Sequence, residues 1–384
     1  MAFRDQYAIA GLGLTAFGRL PGRSALSIKA EAIRRAVQDA GLEPADIDGL
    51  ISQQDLGVTD SGGDLPRRLG IQPRFFWTLI AGGTSAISSI LAAGGAIQSG
   101  LARHVVCFCG ANTLTASAVV GASRSAVSTP GAYGFFGPLA DHALMARRHM
   151  ALYGTTREHL GAVAVGMREN ANRRPEAQMY ARSLTMEEYL LSPPIVEPFG
   201  RPDCCLNSDG GAAVVVTSAE RARDLPGPTV LISGIGLGHQ VRQYQTKTNY
   251  VAYATGDAMV PAFREAGIQL SDVDFCELYE PFSIGVIVQL EDLGFCEKGE
   301  GGPFVADGNV RLDGSIPVNT SGGQASWCYL QGYTPLSEAV LQLTDRGGAT
   351  QLSKADLALV TGHGGTNANS MMYSDGCLIL RRDT

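Results

Sequence analysis

The side chains able to do chemistry gather at a few places in the chain. His363 is the only histidine in a glycine-rich stretch, Gly362-His363-Gly364-Gly365, which closes the apolar run LALVT. A histidine at a strand end is well placed for acid–base work. Gly364 and Gly365, taken alone, read as turn residues that accept a positive φ. Tyr279 stands in FCELYE, where a tyrosine by default packs in the core. Tyr329 stands in WCYLQGY, where Trp327 and Tyr333 also read as packing. Cys328, beside Tyr329, has the type of a nucleophile but reads as a small buried residue. The eight cysteines (107, 109, 204, 205, 276, 296, 328 and 377) form no CxxC pair. The six histidines form neither HExxH nor a Cys/His zinc pattern, so no metal is expected. Cys107 and Cys109 fall on one face of an apolar strand, and Cys204 and Cys205 read as core. Asp141 and His142 follow GPLA, with Asp141 suited to a helix N-cap or to a pocket wall.

These groups belong to a chain of 384 residues with 48 glycines, about one in eight against roughly one in fourteen in average proteins. Hydrophobic residues at 45% and charged residues at 17% exclude a disordered chain. The length predicts one large domain or two fused ones. The net charge is −7, and no basic cluster is present, which excludes nucleic acid as a partner. No run reaches the roughly 20 apolar residues of a membrane span. The N-terminus MAFRDQYAIAG lacks the apolar core of a signal peptide. Reduced thiols and a cytoplasmic location are expected.

The elements that carry the chemistry repeat once. AVQDAGLEPADID at 36–48 and AFREAGIQLSDVD at 262–274 each read as a helix end capped by glycine, Gly41 or Gly267, then a turn into a strand. Those strands are GLISQQ and FCELYE. Gly82-Gly83 opens a helix that leads to the strand HVVCFCGAN at 104–112. Gly322-Gly323 opens a helical stretch through LSEAVLQL that leads to LALVTGHGG at 357–365. Three matches in one order predict a duplication. Strands apolar on both faces (VVCFC, AAVVVTS, LALVTG) fit sheets covered by helices. Residues 113–202 fall outside the repeat. They hold GAYGFFGPLAD, two amphipathic helices at 142–153 and 157–173, and the exit SPPIVEPFGRPD. They read as an inserted loop domain of the kind that shapes pockets.

Two fused α/β copies with such an insertion resemble the thiolase superfamily. SDGGAAVVVTSAERA at 208–222 is similar to the SDGAAA strand of these enzymes, and NTSGGQAS at 319–326 to their NPSGG helix opening. ELYEPFSIGVIVQLEDLGFCEKGEGG at 277–302 resembles the ELHDCFS…LGLC…GEGG segment of sterol-carrier-protein-type thiolases. The resemblance implies duplicated βαβαβαββ halves in a layered α/β/α/β/α core. The halves would be 1–225, with the inserted domain at about 113–202, and 226–384.

The catalytic positions depart from that pattern. The thiolase nucleophile in C-A-T/S-G is matched by Ile80, and the GHP histidine by Tyr329. The HDCF histidine is matched by Tyr279, and the second cysteine, in C-x-G-G, by Gly362. Claisen chemistry through an acyl-enzyme needs a thiolate with a base beside it, and neither is matched. The pattern resembles the lipid-transfer-protein-type aldolases of steroid side-chain degradation. That resemblance implies retro-aldol cleavage of a bulky β-hydroxyacyl-CoA to a ketone and a short acyl-CoA such as propionyl-CoA or acetyl-CoA. It implies catalytic roles for Tyr279, Tyr329 and His363, with an oxyanion hole from the backbone of Gly364 and Gly365. Coenzyme A would enter as part of the substrate, with no permanently bound cofactor. A homodimer core paired near HVVCFCG is implied, joined by a small zinc-ribbon/OB-fold partner into a heterotetramer. An acyltransferase with a relocated thiol and a non-catalytic CoA or lipid carrier are the alternatives.

Overall fold

The computed structural model describes residues 3–53, 64–116, 137–241, 250–365 and 372–383. The first copy runs β1 (Tyr7–Leu14), α1 (Ala25–Asp39), β2 (Gly49–Gln53), α2 (Leu65–Leu69), β3 (Phe75–Leu79), α3 (Ser85–Gln98) and β4 (Val105–Ala111). Then come α4 (Gly137–Tyr153), α5 (Arg157–Ala171), α6 (Met186–Leu191) and a small hairpin, β5 (Pro194–Val196) with β6 (Phe199–Gly200). β7 (Gly210–Ser218) and α7 (Ala219–Arg223) follow. The second copy runs β8 (Val230–Val241), α8 (Thr255–Ala266), β9 (Phe275–Glu277), α9 (Ile284–Leu293), α10 (Gly301–Ala306), α11 (Tyr333–Leu343), β10 (Leu357–Gly365) and β11 (Met372–Arg382).

Local sequence explains the paired helices. The Ser24 side chain accepts the Ser27 N–H and starts α1, which buries Ile28, Ala32, Ile33, Ala36 and Val37. The glycines that follow α1 and α8 turn left-handed as expected, Gly41 at φ +69° and Gly267 at φ +67°. Each helix lies directly on the strand before it. A Cβ on Gly13 would sit 2.1 Å from the Ala32 carbonyl, and one on Gly236 would sit 2.0 Å from that of Ala258. Only glycine permits that approach, which explains part of the glycine excess.

Nine strands form one sheet in the order β3-β2-β4-β7-β1-β8-β11-β10-β9. In the first copy β2 pairs parallel with β4, and β4–β7 and β7–β1 are antiparallel. In the second, β9 pairs parallel with β10, and β10–β11 and β11–β8 are antiparallel. The identical order of pairings is the duplication in three dimensions. The copies join where β1 and β8 run antiparallel, at Tyr7↔Ile232, Ala8↔Leu231 and Ile9↔Val230. α1 covers one outer face and α8 the other, while α3 and α11 touch strands of both copies between them. The result is the layered α/β/α/β/α arrangement.

The structure corrects three local expectations. FCELYE is strand only through Glu277, so Tyr279 lies on the segment leaving the sheet. Gly322-Gly323 does not open a continuous helix. A π-helical turn covers Gly323–Trp327, the chain extends at Cys328, and α11 starts at Tyr333. Asp141 lies inside α4 rather than at its cap and accepts from the Tyr250 hydroxyl. HVVCFCG forms β4, flanked by β2 and β7, and β3 is the edge of the first copy.

Candidate active site

The hydroxyls of Tyr279 and Tyr329 lie 3.2 Å apart, at the end of β9 and in the loop before α11. Buried side chains fix the Tyr279 backbone on both sides. Its N–H donates to Thr361 Oγ1 at 2.9 Å, and its carbonyl accepts from Gln289 Nε2 at 2.7 Å. Thr361 in turn donates to Gln289 Oε1 at 2.6 Å. One residue earlier, Asn319 accepts from the Leu278 N–H at 2.7 Å and donates to its carbonyl at 3.1 Å. The sequence NTSGG thus anchors the chain that presents Tyr279.

Tyr329 is held by a different set of contacts. Its N–H donates to Ser208 Oγ at 2.9 Å, and that hydroxyl donates to Gln178 Oε1 at 2.6 Å. Ser208 opens the SDGG strand, and Gln178 comes from the segment after α5. Trp327, two residues earlier, is buried under Phe17, edge-on at 5.5 Å, with the Arg174 guanidinium over its ring at 5.4 Å. α5 supports the preceding turn through Arg168 Nε to Ser326 Oγ at 3.0 Å and Asn170 Nδ2 to the Asn319 carbonyl at 3.3 Å.

Both phenols are held neutral. Burial pushes Tyr279 well above its usual range near 10, and the adjoining Tyr329 adds to the rise. Burial, then Cys205, raises Tyr329. A neutral phenol is a good hydrogen-bond donor and proton donor. Glu280, the next residue after Tyr279, is buried at 1% exposure. Its Oε1 accepts from the N–H groups of Gln324 and, at 3.1 Å, Ala325. Burial raises its carboxyl to about 8 against the pull of those donors.

The Tyr279 ring takes the space a side chain would use on the turn before α3. A Cβ on Gly83 would come within 2.2 Å of Tyr279 Cε2 and 2.4 Å of the His363 carbonyl. Ile80, by contrast, is 51% exposed. Gly83, not Ile80, is therefore the residue of this turn that faces Tyr279. Gly364 also abuts the turn, where its Cβ would meet Gly83 N at 2.5 Å. β9 pairs with β10 only at Ala358, Leu359 and Val360, so Gly362–Gly365 run on past its end.

His363 lies between Gly362 and Gly364 and by strand alternation points to the opposite face. There its Nδ1 meets Asp375 Oδ1 at 2.5 Å, across the β10–β11 register. Asp375 also accepts from the Ala254 N–H at 2.8 Å. The His363 ring packs on Tyr253 with centroids 4.2 Å apart and on His142 at 5.7 Å, whereas the Tyr279 ring is 6.4 Å away. The structure thus brings the two tyrosines together and places His363 in a neighbouring aromatic cluster. His142 belongs to that cluster.

Seven of the eight thiols are poor nucleophiles. Cys328 is fully buried, and burial pushes its thiol up, as it does for Cys107, Cys205, Cys276 and Cys377. Cys204 and Cys296 are pushed up to about 12. Sequence reasoning assigned Cys205 to the core. It is only half-buried and close enough to Tyr329, Tyr279 and Glu280 to perturb or be perturbed by each. Glu280 was also missed, because its burial is not written in a local sequence that already carries Glu277 two residues before Tyr279. Among the described residues, no group of three or more His, Cys, Asp or Glu side chains is arranged to hold a metal. No helix among them is long and apolar enough to cross a membrane.

A family model described as Thiolase C-terminal domain-like matches residues 236–374. A steroid side-chain-cleaving aldolase of Thermomonospora curvata is 38% identical over 349 residues, covering 87% of this chain and 89% of that protein. A 17-hydroxy-3-oxo-4-pregnene-20-carboxyl-CoA lyase of Mycobacterium tuberculosis is 36% identical over 358 residues, covering 88% and 91%. A solved structure described as an Ltp2-ChsH2(DUF35) aldolase superposes with a TM-score of 0.89 at 35% identity, covering 99% of each chain.

Proposed function

The chain belongs to the thiolase superfamily, and on that premise we propose that it is a carbon–carbon lyase that cleaves a steroid side-chain β-hydroxyacyl-CoA by a retro-aldol reaction. The observation that carries this reading is the contact between the hydroxyls of Tyr279 and Tyr329. They stand at positions matched to histidines of sterol-carrier-protein-type thiolases, and no reactive thiol faces them.

The residues act as follows. The β-hydroxyl passes its proton to the Tyr279 oxygen as Tyr279 passes its own to Tyr329 across their contact and Tyr329 gives its own up, the Cα–Cβ bond breaks, and the β-carbon becomes a ketone. The released electron pair forms the thioester enolate, which Tyr329 protonates at Cα. The backbone of Gly364 and Gly365 stabilises the enolate oxygen, and His363, held by Asp375, orients that loop. No covalent intermediate is required. The substrate class follows the Mycobacterium tuberculosis relative. From 17-hydroxy-3-oxo-4-pregnene-20-carboxyl-CoA the bond broken joins C17 to C20, giving the 17-ketone and propionyl-CoA.

The assembly is part of the same proposal. A homodimer forms through the outer edge of β3, where Trp77 is 52% exposed beside the exposed Ile80. A small zinc-ribbon/OB-fold partner completes a cytoplasmic heterotetramer, a reading supported by the DUF35 component named in the structural neighbour. The chain divides at about residue 225 into its two halves, with the inserted domain between β4 and β7. The test is mass spectrometry of the products formed from 17-hydroxy-3-oxo-4-pregnene-20-carboxyl-CoA, with and without a DUF35-type partner. A ketone and propionyl-CoA in equal amounts support the reading, whereas intact thioester under both conditions contradicts it.

A further inference from the structure

Thr320 stands between two carboxyls in the core. Its Oγ1 lies 2.9 Å from Glu277 Oε1 and 2.7 Å from Glu338 Oε1. It also accepts from Gln342 Nε2 at 3.1 Å, an amide whose orientation is fixed by the Leu352 N–H, which donates to its oxygen at 3.0 Å. A hydroxyl carries one hydrogen and two lone pairs, so Thr320 can donate to one of the two carboxyls only. If both were ionised, the other contact would set oxygen against oxygen with no hydrogen between them. Glu277 and Glu338 are 1% and 0% exposed, and such a contact is costly where water is excluded. One carboxyl therefore carries a proton and donates it to Thr320.

Arg174 decides which. Its guanidinium donates to Glu338 Oε1 at 3.1 Å, and Gln342 Nε2 donates there at 3.0 Å. Glu338 holds the negative charge and accepts from Thr320. Glu277 makes no ion pair among the described residues, and burial together with the Glu338 charge raises its carboxyl well above its ordinary value. We infer that Glu277 is a protonated positioning residue, whose carboxyl donates to Thr320 while Thr320 donates to Glu338, so that one buried proton ties the strand leading to Tyr279 to α11 and Arg174.

The place of this proton in the fold gives it a consequence. Glu277 ends β9, two residues before Tyr279. The Cys276 N–H donates to the Pro317 carbonyl at 2.9 Å, the Asn319 N–H to the Cys276 carbonyl at 3.0 Å, and the Thr320 N–H to Glu277 Oε1 at 3.0 Å. Losing the proton puts a second negative charge against Glu338 and loosens this ladder below Tyr279. The groups that set its titration are Cys276 and Glu280 on its own segment, Glu338 from α11, and Arg174, paired with Glu176, from the segment after α5. A carboxyl raised in the fold loses its contribution to stability as pH rises toward its folded value. The effect on turnover rests on the tyrosine reading above, whereas the proton itself does not.

The test is infrared difference spectroscopy of the carboxyl carbonyl stretch at pH 7, on the parent protein, Glu277→Gln, Thr320→Ser and Thr320→Val. The parent should show a protonated-carboxyl band that Glu277→Gln lacks. That band should stay in place in Thr320→Ser, which keeps the hydroxyl, and move in Thr320→Val, which removes it. The threonine pair carries the test if Glu277→Gln does not fold, and packing of the threonine methyl alone would give the opposite order. In calorimetry the thermal midpoint should fall less from pH 6 to 9 in Glu277→Gln than in the parent. With 17-hydroxy-3-oxo-4-pregnene-20-carboxyl-CoA and the DUF35-type partner, Thr320→Val should lower kcat about 10-fold or more and leave KM within about threefold. A protonated band unchanged in both Glu277→Gln and Thr320→Val overturns the inference. If the bands behave as expected while Tyr279→Phe is fully active, the proton assignment stands and the tyrosine reading falls.

Discussion

Tyr279 and Gly83 are matched in shape: the phenol ring fills the place where any side chain on residue 83 would begin, with Cε2 2.2 Å from a Cβ built there. That contact sets the ring against the turn before α3 and leaves its hydroxyl to meet Tyr329. In a thiolase the same turn supplies the nucleophile. Here it supplies a seat for a phenol.

Gly83→Ala should therefore displace the Tyr279 ring, because the His363 carbonyl closes the other side at 2.4 Å. A small-to-large change in a packed site costs about 1–3 kcal/mol. The expected outcome is a lower thermal midpoint together with a large loss of turnover. A variant as stable and active as the parent in calorimetry and in the cleavage assay would show that the ring does not rest there.

No acyl-enzyme should accumulate. Burial raises the buried cysteine thiols, and the turn that faces Tyr279 offers glycine. Intact-mass spectrometry after incubation with acetyl-CoA or propionyl-CoA should find only the parent mass. A stoichiometric adduct would favour an acyltransferase instead.

Stability should fall as the solution becomes alkaline. Burial raises Glu280 to about 8, lifts Glu277 well above its ordinary value and raises Glu338. A carboxyl with a raised folded pKa contributes its full stability below its unfolded value near 4.5. That contribution is lost as pH rises toward the folded value, by about 1.4 kcal/mol per pH unit per group. Calorimetry should show the thermal midpoint falling from pH 6 to 9, and falling less for Glu280→Gln. A flat profile in both proteins would mean these carboxyls are not protonated in the fold.

The exposed edge of β3 makes a separate prediction. Trp77→Glu should turn a dimer into a monomer in sedimentation at micromolar concentration, because a charge opposes edge pairing. A dimer unchanged by this substitution would place the interface elsewhere.

Much of this was legible in the sequence. The paired glycine caps at 41 and 267 gave away the duplication because a helix end that turns left-handed strongly favours glycine. Tyr279 and Tyr329 stood out by their motifs. Glu280 and Cys205 did not, because their roles depend on burial and on which turn faces which, and neither is written in local spacing. The break between Gly323–Trp327 and α11 was also hidden. Its apolar sequence suits a helix, and the contacts from α5, Glu280 and Ser208 that hold it open come from distant segments. Strand alternation could have separated His363 from its neighbouring glycines, but only once the turn at Gly83 fixed which face carries the chemistry.

The central claim is that the two phenols carry the proton transfers, and single-turnover cleavage of 17-hydroxy-3-oxo-4-pregnene-20-carboxyl-CoA by Tyr279→Phe and Tyr329→Phe tests it most directly. Phenylalanine keeps each ring and removes only the hydroxyl. Loss of a general acid or base lowers the rate about 10²–10⁴-fold, or roughly 3–5 kcal/mol in the barrier, whereas loss of a packing hydrogen bond costs about 1 kcal/mol of stability and leaves turnover nearly intact. The predicted result is that both variants fold with nearly the parent's thermal midpoint and each loses at least about 10²-fold in rate. Near-parental cleavage by both would contradict the account.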